Sequence, residues 1–110
     1  MHALIESRRQ AIAQLCRRYG VMRLDLFGSA ASGEFNNQRS DFDFIVRFAD
    51  SQSPGIAHRF FGLAEELEHL LERRVDLLTG QPFRNPYFAQ AVEKTRKTIY
   101  QQSVEEVAVE

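Results

Sequence analysis

LDLFGSAASGEFNNQRSDFDFIVRF, residues 24–48, holds the features from which the rest of the chain can be placed. A Gly28-Ser29 turn follows a short apolar run, and a second apolar run begins with Asp41 and Asp43. Two carboxylates at the edge of a strand, beside a turn of small residues, suit a metal-bound phosphate better than they suit packing. The alternative is a surface hairpin whose acids are solvated.

Two strands are predicted in this segment, over residues 22–27 and 41–48, with one or two helical turns at 29–33 and a polar loop at 34–39 between them. Successive side chains of a strand point to opposite faces. One face of the second strand is expected in the core and carries Phe42, Phe44, Val46 and Phe48. The other face is expected to look into a cleft or solvent and carries Asp41, Asp43, Ile45 and Arg47.

Helices are predicted on both sides of these strands. Residues 2–19 have apolar side chains at helical spacing, and Gly20 stands where a C-terminal cap belongs. Residues 56–73 form an amphipathic helix. Its apolar side consists of Phe60, Leu63, Ala64, Leu67, Leu70 and Leu71.

The C-terminal third predicts one more strand and one more helix. The strand covers residues 75–79, and Asp76 interrupts its apolar run. Asn85-Pro86 begins the helix, with asparagine as the N-cap and proline as the first helical residue. The helix is predicted to reach about Tyr100. Its inward side chains are expected to be Phe88, Val92, Thr95 and Ile99.

The resulting order of elements is helix, strand, short helix, strand, helix, strand, helix. This order predicts an α/β (α+β) fold in which helices cover a small mixed sheet. Because the chain has 110 residues and no evident linker, residues 1–110 are expected to form a single domain. Residues 102–110 are expected to be a frayed tail.

The composition is that of a soluble globular protein, with 44% hydrophobic and 26% charged residues. The net charge is −1, so no direct contact with nucleic acid or a membrane surface is expected. The N-terminal charges come too early for a signal peptide to be expected, and no apolar run is long enough for a bilayer-spanning segment to be expected. The single cysteine, Cys16, fits a reducing cytoplasm and is expected to be a small buried side chain.

Other polar side chains leave alternatives open. His58 and His69 are eleven residues apart, which is not the spacing of a helical metal pair, and we expect both at the surface; His2 is assigned no role. Four arginines lie largely off the apolar stripe of the first helix, as a solvated face or as a basic rim for a triphosphate or an RNA-binding partner: Arg8, Arg9, Arg17 and Arg18.

Asp41, Asp43 and Asp76 can be combined into one site. Residues two apart on a strand project side by side, about 6.5 Å apart at the backbone, and a third carboxylate on an adjacent strand would complete a site for divalent ions. Mg²⁺ prefers such oxygen ligands together with substrate phosphate oxygens. Neighbouring carboxylates resist ionisation unless a cation lies between them.

The Gly28-Ser29 turn supplies the complementary part. Glycine lets the backbone approach a ligand closely, and amides at the start of a following helix would face an anion. Such a turn would hold the β and γ phosphates while carboxylates and two metal ions act at the α-phosphorus. The predicted reaction class is nucleotidyl transfer.

These residues resemble the Gly-Ser…Asp-x-Asp signature of the polymerase β-like nucleotidyltransferase superfamily, and most closely its minimal members, the MNT group. The likeness extends over LFGS, SDFDFIV, RRVDLLT and NPYF. It implies a polymerase β-like fold in which Gly28 and Ser29 bind the triphosphate of ATP. It also implies that Asp41 and Asp43 ligate two Mg²⁺ ions. Asp76 would be the third acid of this metal site, near the attacking hydroxyl.

The resemblance further implies a biological role. Similar proteins are antitoxins of HEPN–MNT pairs: each pairs with a HEPN-domain RNase toxin and transfers AMP from ATP to a tyrosine of that toxin, which silences it. Two departures stand out. The eleven residues between Ser29 and Asp41 are one more than is usual in the family. Ala30, Ala31 and Ser32 stand where relatives often carry arginine. Arg39 or Arg47 would have to replace this charge, although Arg47 could equally form a structural ion pair on the acidic face.

Two further functions remain as alternatives. The first is a catalytically weak antitoxin that neutralises its toxin by binding alone, which the missing arginines favour and the intact acids disfavour. The second is nucleotidyl transfer to a small molecule or an RNA end, for which the chain offers little room for an acceptor domain.

Overall fold

The computed structural model describes residues 3–32, 41–50, 54–79 and 85–102, without the side chains of Ser29 and Ser32. Nine elements lie in these ranges. The helices are α1 (Ala3–Ser7), α2 (Arg9–Arg18), α3 (Ser29–Ser32), α4 (Ile56–Leu71) and α5 (Pro86–Thr95). The strands are β1 (Val21–Phe27), β2 (Phe42–Phe48), β3 (Val75–Thr79) and β4 (Lys97–Gln101). The predictions for His2, Arg39, the loop at 34–39 and the tail from 103 onward fall outside the described residues.

The four strands form one mixed sheet in the order β3-β2-β1-β4. The inner strands β1 and β2 are antiparallel, β4 joins the outer side of β1 antiparallel, and β3 joins the outer side of β2 in parallel. A parallel neighbour requires a crossover connection, and α4 supplies it between β2 and β3. The prediction of a small mixed sheet covered by helices is confirmed.

The main core lies between one face of the sheet and helices α1, α2 and α4. Phe42, Phe44, Val46 and Phe48 are all buried there, as their alternation predicted. The amphipathic side of α4 faces the same core, through Leu63, Leu67 and Leu71. Among the helices described, none combines the length and the apolar character needed to cross a membrane.

The opposite face of the sheet is only partly open, because α5 packs on it. Ile45, expected on a cleft-facing or solvent-facing surface, is 3% exposed and packs with Phe27 and Val92 in a second small cluster. Arg47 on the same face is exposed. One face of β2 therefore carries a half-buried acid, a buried apolar residue and an exposed arginine in turn.

The last helix is shorter than predicted, and the prediction that it reaches Tyr100 is wrong. It ends at Thr95, and residues 97–101 form β4 along the edge of β1. Arg96, the C-cap of α5, has extended backbone angles, and its guanidinium donates to the buried Asp25 of β1. Pairing with β1 then buries Ile99 and Tyr100 in the main core, a tertiary gain that helical periodicity alone does not reveal.

The start of α5 and the end of α2 have the capping residues that the sequence predicted. The Asn85 side chain accepts hydrogen bonds from the amides of Tyr87, at 2.9 Å, and Phe88, at 3.4 Å. Phe88 was expected to point inward, but it is 39% exposed; its ring makes a T-shaped contact with that of Phe27, with the ring centroids 6.2 Å apart. Gly20 ends α2 with a φ of +69°, where glycine is favoured.

The first helix is interrupted rather than continuous over residues 2–19. Arg8 leaves helical geometry, with φ −106° and ψ 10°. The Ser7 hydroxyl donates to the Leu4 carbonyl at 2.9 Å, and such side-chain bonds compete with the helical backbone. α1 and α2 each place an isoleucine, Ile5 and Ile12, fully in the core.

Candidate active site

Asp43 and Asp76 lie side by side at one end of the sheet. They are direct register partners in the parallel β2–β3 pair, so their side chains project from the same face. Asp43 is half-buried, whereas Asp76 is exposed on the edge strand. Asp41 lies one residue before β2 and is also half-buried.

The electrostatics of Asp43 show how closely the acids are placed. Burial, the negative charge of Asp76, a hydrogen bond shared with the Asp76 side chain and the charge of Asp41 together raise the pKa of Asp43 to about 6. Each of these causes disfavours the ionised carboxylate. The protein alone therefore holds a carboxyl that a cation would help to ionise.

The Gly28 turn touches this carboxyl group. Gly28 has a φ of +77°, and a Cβ added there would lie 2.6 Å from Oδ2 of Asp43. Both the backbone angle and the space exclude a side chain, since real Cβ atoms do not approach an oxygen so closely. The bare glycine thus brings the turn and the start of α3 against Asp43.

Thr95 holds the Gly28 turn in place from α5. The Gly28 amide donates to Oγ1 of Thr95 at 2.8 Å. The Thr95 hydroxyl in turn lies 3.3 Å from the carbonyl of Ala91, to which it donates. The Gly28 amide is therefore engaged within the protein, and any phosphate held by this turn must use the amides that follow it.

Replacing Gly28 by alanine is expected to destabilise the protein by more than the left-handed backbone strain of about 1–2 kcal/mol. The additional loss arises because the new Cβ displaces the Asp43 carboxyl group. Gly55→Ala is the matched control, since Gly55 has a φ of +89° and open space around it. Urea unfolding of both variants isolates the contact, and equal losses would show that Gly28 serves only its backbone angle.

The acids fit a metal site that is completed by a substrate. Within residues 3–32, 41–50, 54–79 and 85–102, no group of three or more His, Cys, Asp or Glu side chains is arranged to hold a metal ion. Mg²⁺, however, is commonly bound through one or two carboxylates together with waters and substrate phosphate oxygens. The aligned Asp43 and Asp76 supply such a pair, and burial together with the charges of Asp76 and Asp41 raises the pKa of Asp43 to about 6.

Sequence reasoning missed Asp25, the only charged residue among those described that is fully buried. Its carboxylate accepts from Nε of Arg23 at 3.0 Å and from Nε of Arg96. Burial by itself would raise the pKa of Asp25, but hydrogen bonds from Arg23, Arg96 and Thr98 hold the pKa below its usual range. The missed signal was the arginine two residues before Asp25 on the same strand face.

The remaining sequence candidates behave as ordinary structural residues where they are described. Burial raises the pKa of the Cys16 thiol to about 12, which leaves it an inert core side chain. His58 and His69 are exposed on α4. The four arginines of the first helical region are exposed, and Arg18 pairs with Glu66 at 3.7 Å.

Comparison with known proteins gives matches over most of the chain. The sequence profile of the nucleotidyltransferase domain matches residues 8–99. A protein of Methanocaldococcus jannaschii, named as a candidate protein adenylyltransferase, is 36% identical over 77 residues, which cover 70% of this chain and 75% of the relative.

Solved structures share the fold. One described as a candidate minimal nucleotidyltransferase is 31% identical, with a TM-score of 0.69 over 88% of this chain and 95% of that chain. A complex of a tri-AMPylated Shewanella oneidensis HEPN toxin with an MNT antitoxin contains a chain 21% identical, with a TM-score of 0.60 over 94% of this chain and 78% of that chain. At that identity the second likeness is one of fold.

Proposed function

The chain belongs to the nucleotidyltransferase domain family, and from this membership and its paired carboxylates we propose that it transfers AMP from ATP to a tyrosine of a HEPN-domain toxin. The observation that carries the proposal is the meeting of two features: Asp43 and Asp76 lie in register, and Gly28 lies against the Asp43 carboxyl group. Binding of a nucleoside triphosphate with Mg²⁺ requires carboxylates for the ion and a backbone that approaches the phosphates closely.

Each site residue has a distinct task in this proposal. Asp43 and Asp76, with Asp41 beside them, hold Mg²⁺, which neutralises charge on the phosphates and on the leaving pyrophosphate. The turn at Gly28 and Ser29 holds the β and γ phosphates through backbone amides beyond that of Gly28. Burial around Asp43 strengthens every electrostatic interaction made there.

The reaction is a displacement at the α-phosphorus. The acceptor tyrosine oxygen bonds to this phosphorus, the bond to the β-phosphate oxygen breaks, and pyrophosphate leaves with the electron pair. Asp76 is the more exposed of the two aligned acids, so it is the one that an incoming hydroxyl of another protein reaches first and the one that takes its proton. The chain's contribution is mainly positioning and charge stabilisation.

The choice of acceptor is supported by the named relatives. The Methanocaldococcus jannaschii relative is named for adenylyl transfer to protein. The Shewanella oneidensis complex pairs an MNT antitoxin of this fold with a HEPN toxin that carries AMP groups. A HEPN-domain protein is therefore the acceptor we propose for this chain.

The test is transfer of label from α-³²P-ATP, with Mg²⁺, to HEPN-domain proteins of the same genome, followed by mapping of the labelled residue. We expect label on a tyrosine, and we expect Asp76→Asn to lower the transfer rate about 100-fold or more, since metal ligation is worth several kcal/mol in the transition state. Asp50→Asn is the matched control. Asp50 is an exposed acid with a φ of +53°, which asparagine tolerates.

Two results would overturn this proposal. If the wild type and Asp76→Asn transfer AMP at equal rates, the paired acids do not take part in catalysis. Neutralisation of a HEPN toxin without any label, unchanged in Asp76→Asn, would establish the alternative of an antitoxin that acts by binding alone. The positions Ala30 and Ala31 after the Gly-Ser turn, both buried and without charge, are the observation that favours this alternative.

A further inference from the structure

A small cavity of about 90 Å³ lies on the α5 side of the sheet and is lined by Arg23, Ile45, Arg47 and Arg96. The three arginines come from three different elements: β1, β2 and the residue that joins α5 to β4. Ile45 is buried. The cavity is thus a pocket with an apolar side chain and three guanidinium groups in its wall.

The strand register places two of these positive charges opposite each other, which destabilises the folded protein when no anion is bound. Arg23 and Arg47 are direct partners in the antiparallel β1–β2 pair, and like charges directly opposite each other destabilise a sheet. Asp25 accepts from Nε of Arg23 and Nε of Arg96. Among the described residues, no carboxylate pairs with Arg47.

The charges leave room for a dianion. Three guanidinium groups line the cavity, and one buried carboxylate, Asp25, lies against two of them. Glu93 also bonds Arg96, but its side chain is 68% exposed and does not line the cavity. Two positive charges therefore remain, and a phosphate monoester or inorganic phosphate carries about −2 at neutral pH.

The donors that remain also suit a tetrahedral ligand. Arg23 uses Nε on Asp25 and Nη2 on the Thr98 hydroxyl, at 3.1 Å. Arg96 uses Nε on Asp25 and Nη1 on Glu93. Within the described residues, each keeps one unused Nη group, and Arg47 keeps its whole guanidinium. Donors from three directions fit a phosphate better than a planar carboxylate, which one guanidinium satisfies.

We propose that Arg23, Arg47 and Arg96 form a phosphate-binding site that is separate from the paired acids. Arg47 lies four residues beyond Asp43 on β2, a backbone distance of about 13 Å at 3.3 Å per residue. Ile45, covered by Val92 of α5, lies between them. The site therefore takes a phosphate other than those held beside Asp43, and its occupancy does not depend on nucleotidyl transfer.

Titration with inorganic phosphate, followed by backbone amide NMR and by melting temperature, tests this site. We expect phosphate to shift the amides of Ile45, Arg47 and Thr98 and to raise the melting temperature of the wild type. Arg47→Gln is expected to bind phosphate at least tenfold more weakly. Arg8→Gln is the matched control, because it removes the same charge from an exposed arginine.

The sources of phosphate are separated by parallel titrations with AMP and with inorganic phosphate, both without Mg²⁺. Tighter binding of AMP at the same amides identifies a nucleotide monoester as the ligand, and equal binding identifies the free anion. The proposal is overturned if only amides near Gly28 and Asp76 shift, or if Arg47→Gln binds phosphate as tightly as Arg8→Gln.

Without phosphate, Arg47→Gln is expected to melt at or above the wild-type temperature, since it removes the repulsion with Arg23. If Arg47→Gln melts lower, Arg47→Lys is the second variant to test for phosphate binding, because lysine keeps the positive charge but not the planar guanidinium. Lysine is also a phosphate donor, so phosphate binding by Arg47→Lys that is no tighter than that of Arg47→Gln would then contradict the site.

Discussion

Asp43→Asn is expected to make the protein more stable at pH 7.5 and, at the same time, to abolish nucleotidyl transfer. The wild-type carboxyl is ionised at this pH against burial and against the charges of Asp76 and Asp41, which together raise its pKa to about 6. Asparagine has nearly the same shape and no charge. The gain in the free energy of unfolding should be about 1–3 kcal/mol, from a shift of about two pKa units reduced for partial exposure.

The pH dependence of stability gives the sign of the Asp43 contribution to the free energy of unfolding, independently of any substitution. A carboxyl whose pKa is higher in the folded than in the unfolded chain binds its proton more tightly when folded. The contribution of Asp43 to stability is therefore fully present below about pH 4 and is lost as the pH rises through 6. Asp43→Asn should flatten the wild-type decline between these values in urea unfolding measured at a series of pH values.

The matched control is again Asp50→Asn, which removes an exposed acid and should change the stability by less than about 0.5 kcal/mol. Addition of Mg²⁺ with ATP should reverse the order, because ligand binding to the folded state stabilises the wild type and Asp43→Asn has lost a ligand for the ion. An Asp43→Asn protein that is less stable than the wild type at pH 7.5 would contradict the placement of Asp43 between two other acids.

Much of the sheet could be predicted from local signals in the sequence. The alternation from Phe42 to Phe48 predicts both the strand and its buried face, and Asn85 predicts where α5 begins. These signals work because each side chain acts on its own backbone or on an adjacent turn. The pairing of Asp43 with Asp76 was predicted only as an adjacency, since the parallel register depends on how α4 crosses the sheet.

The features of the sheet that escaped prediction depend on residues far apart in the chain. Asp25 looked like the polar residue of an alternating strand, yet its ion pair with Arg96 spans 71 positions. Arg96 is also the C-cap of α5 and directly precedes β4. Helical periodicity favoured a continuous helix there, and the contact that overrides it appears only once β1 and β4 are adjacent.

Asp25→Asn is expected to be the most destabilising conservative substitution in the sheet, with a loss of about 3–5 kcal/mol. Removing one partner of a buried ion pair leaves the other charges uncompensated, here the guanidinium groups of Arg23 and Arg96. A loss of this size is a large fraction of the 5–15 kcal/mol typical of a whole domain. The measurement is urea unfolding at pH 7, with Glu6→Gln as the control for an exposed pair, whose loss should stay below about 1 kcal/mol.

The dependence of stability on pH and on added phosphate distinguishes a contribution of this ion pair from one of side-chain packing. The pKa of Asp25 is lowered in the folded protein, so its contribution to stability is present above about pH 4 and is lost as the pH falls further. Asp25→Asn should remove that part of the acid dependence. Because the substitution leaves Arg23 and Arg96 without their buried carboxylate, beside the positive charge of Arg47, phosphate should restore more stability to Asp25→Asn than it adds to the wild type. A variant as stable as the wild type would show that burial of the Asp25 carboxylate and its two arginines is not what joins β4 to β1.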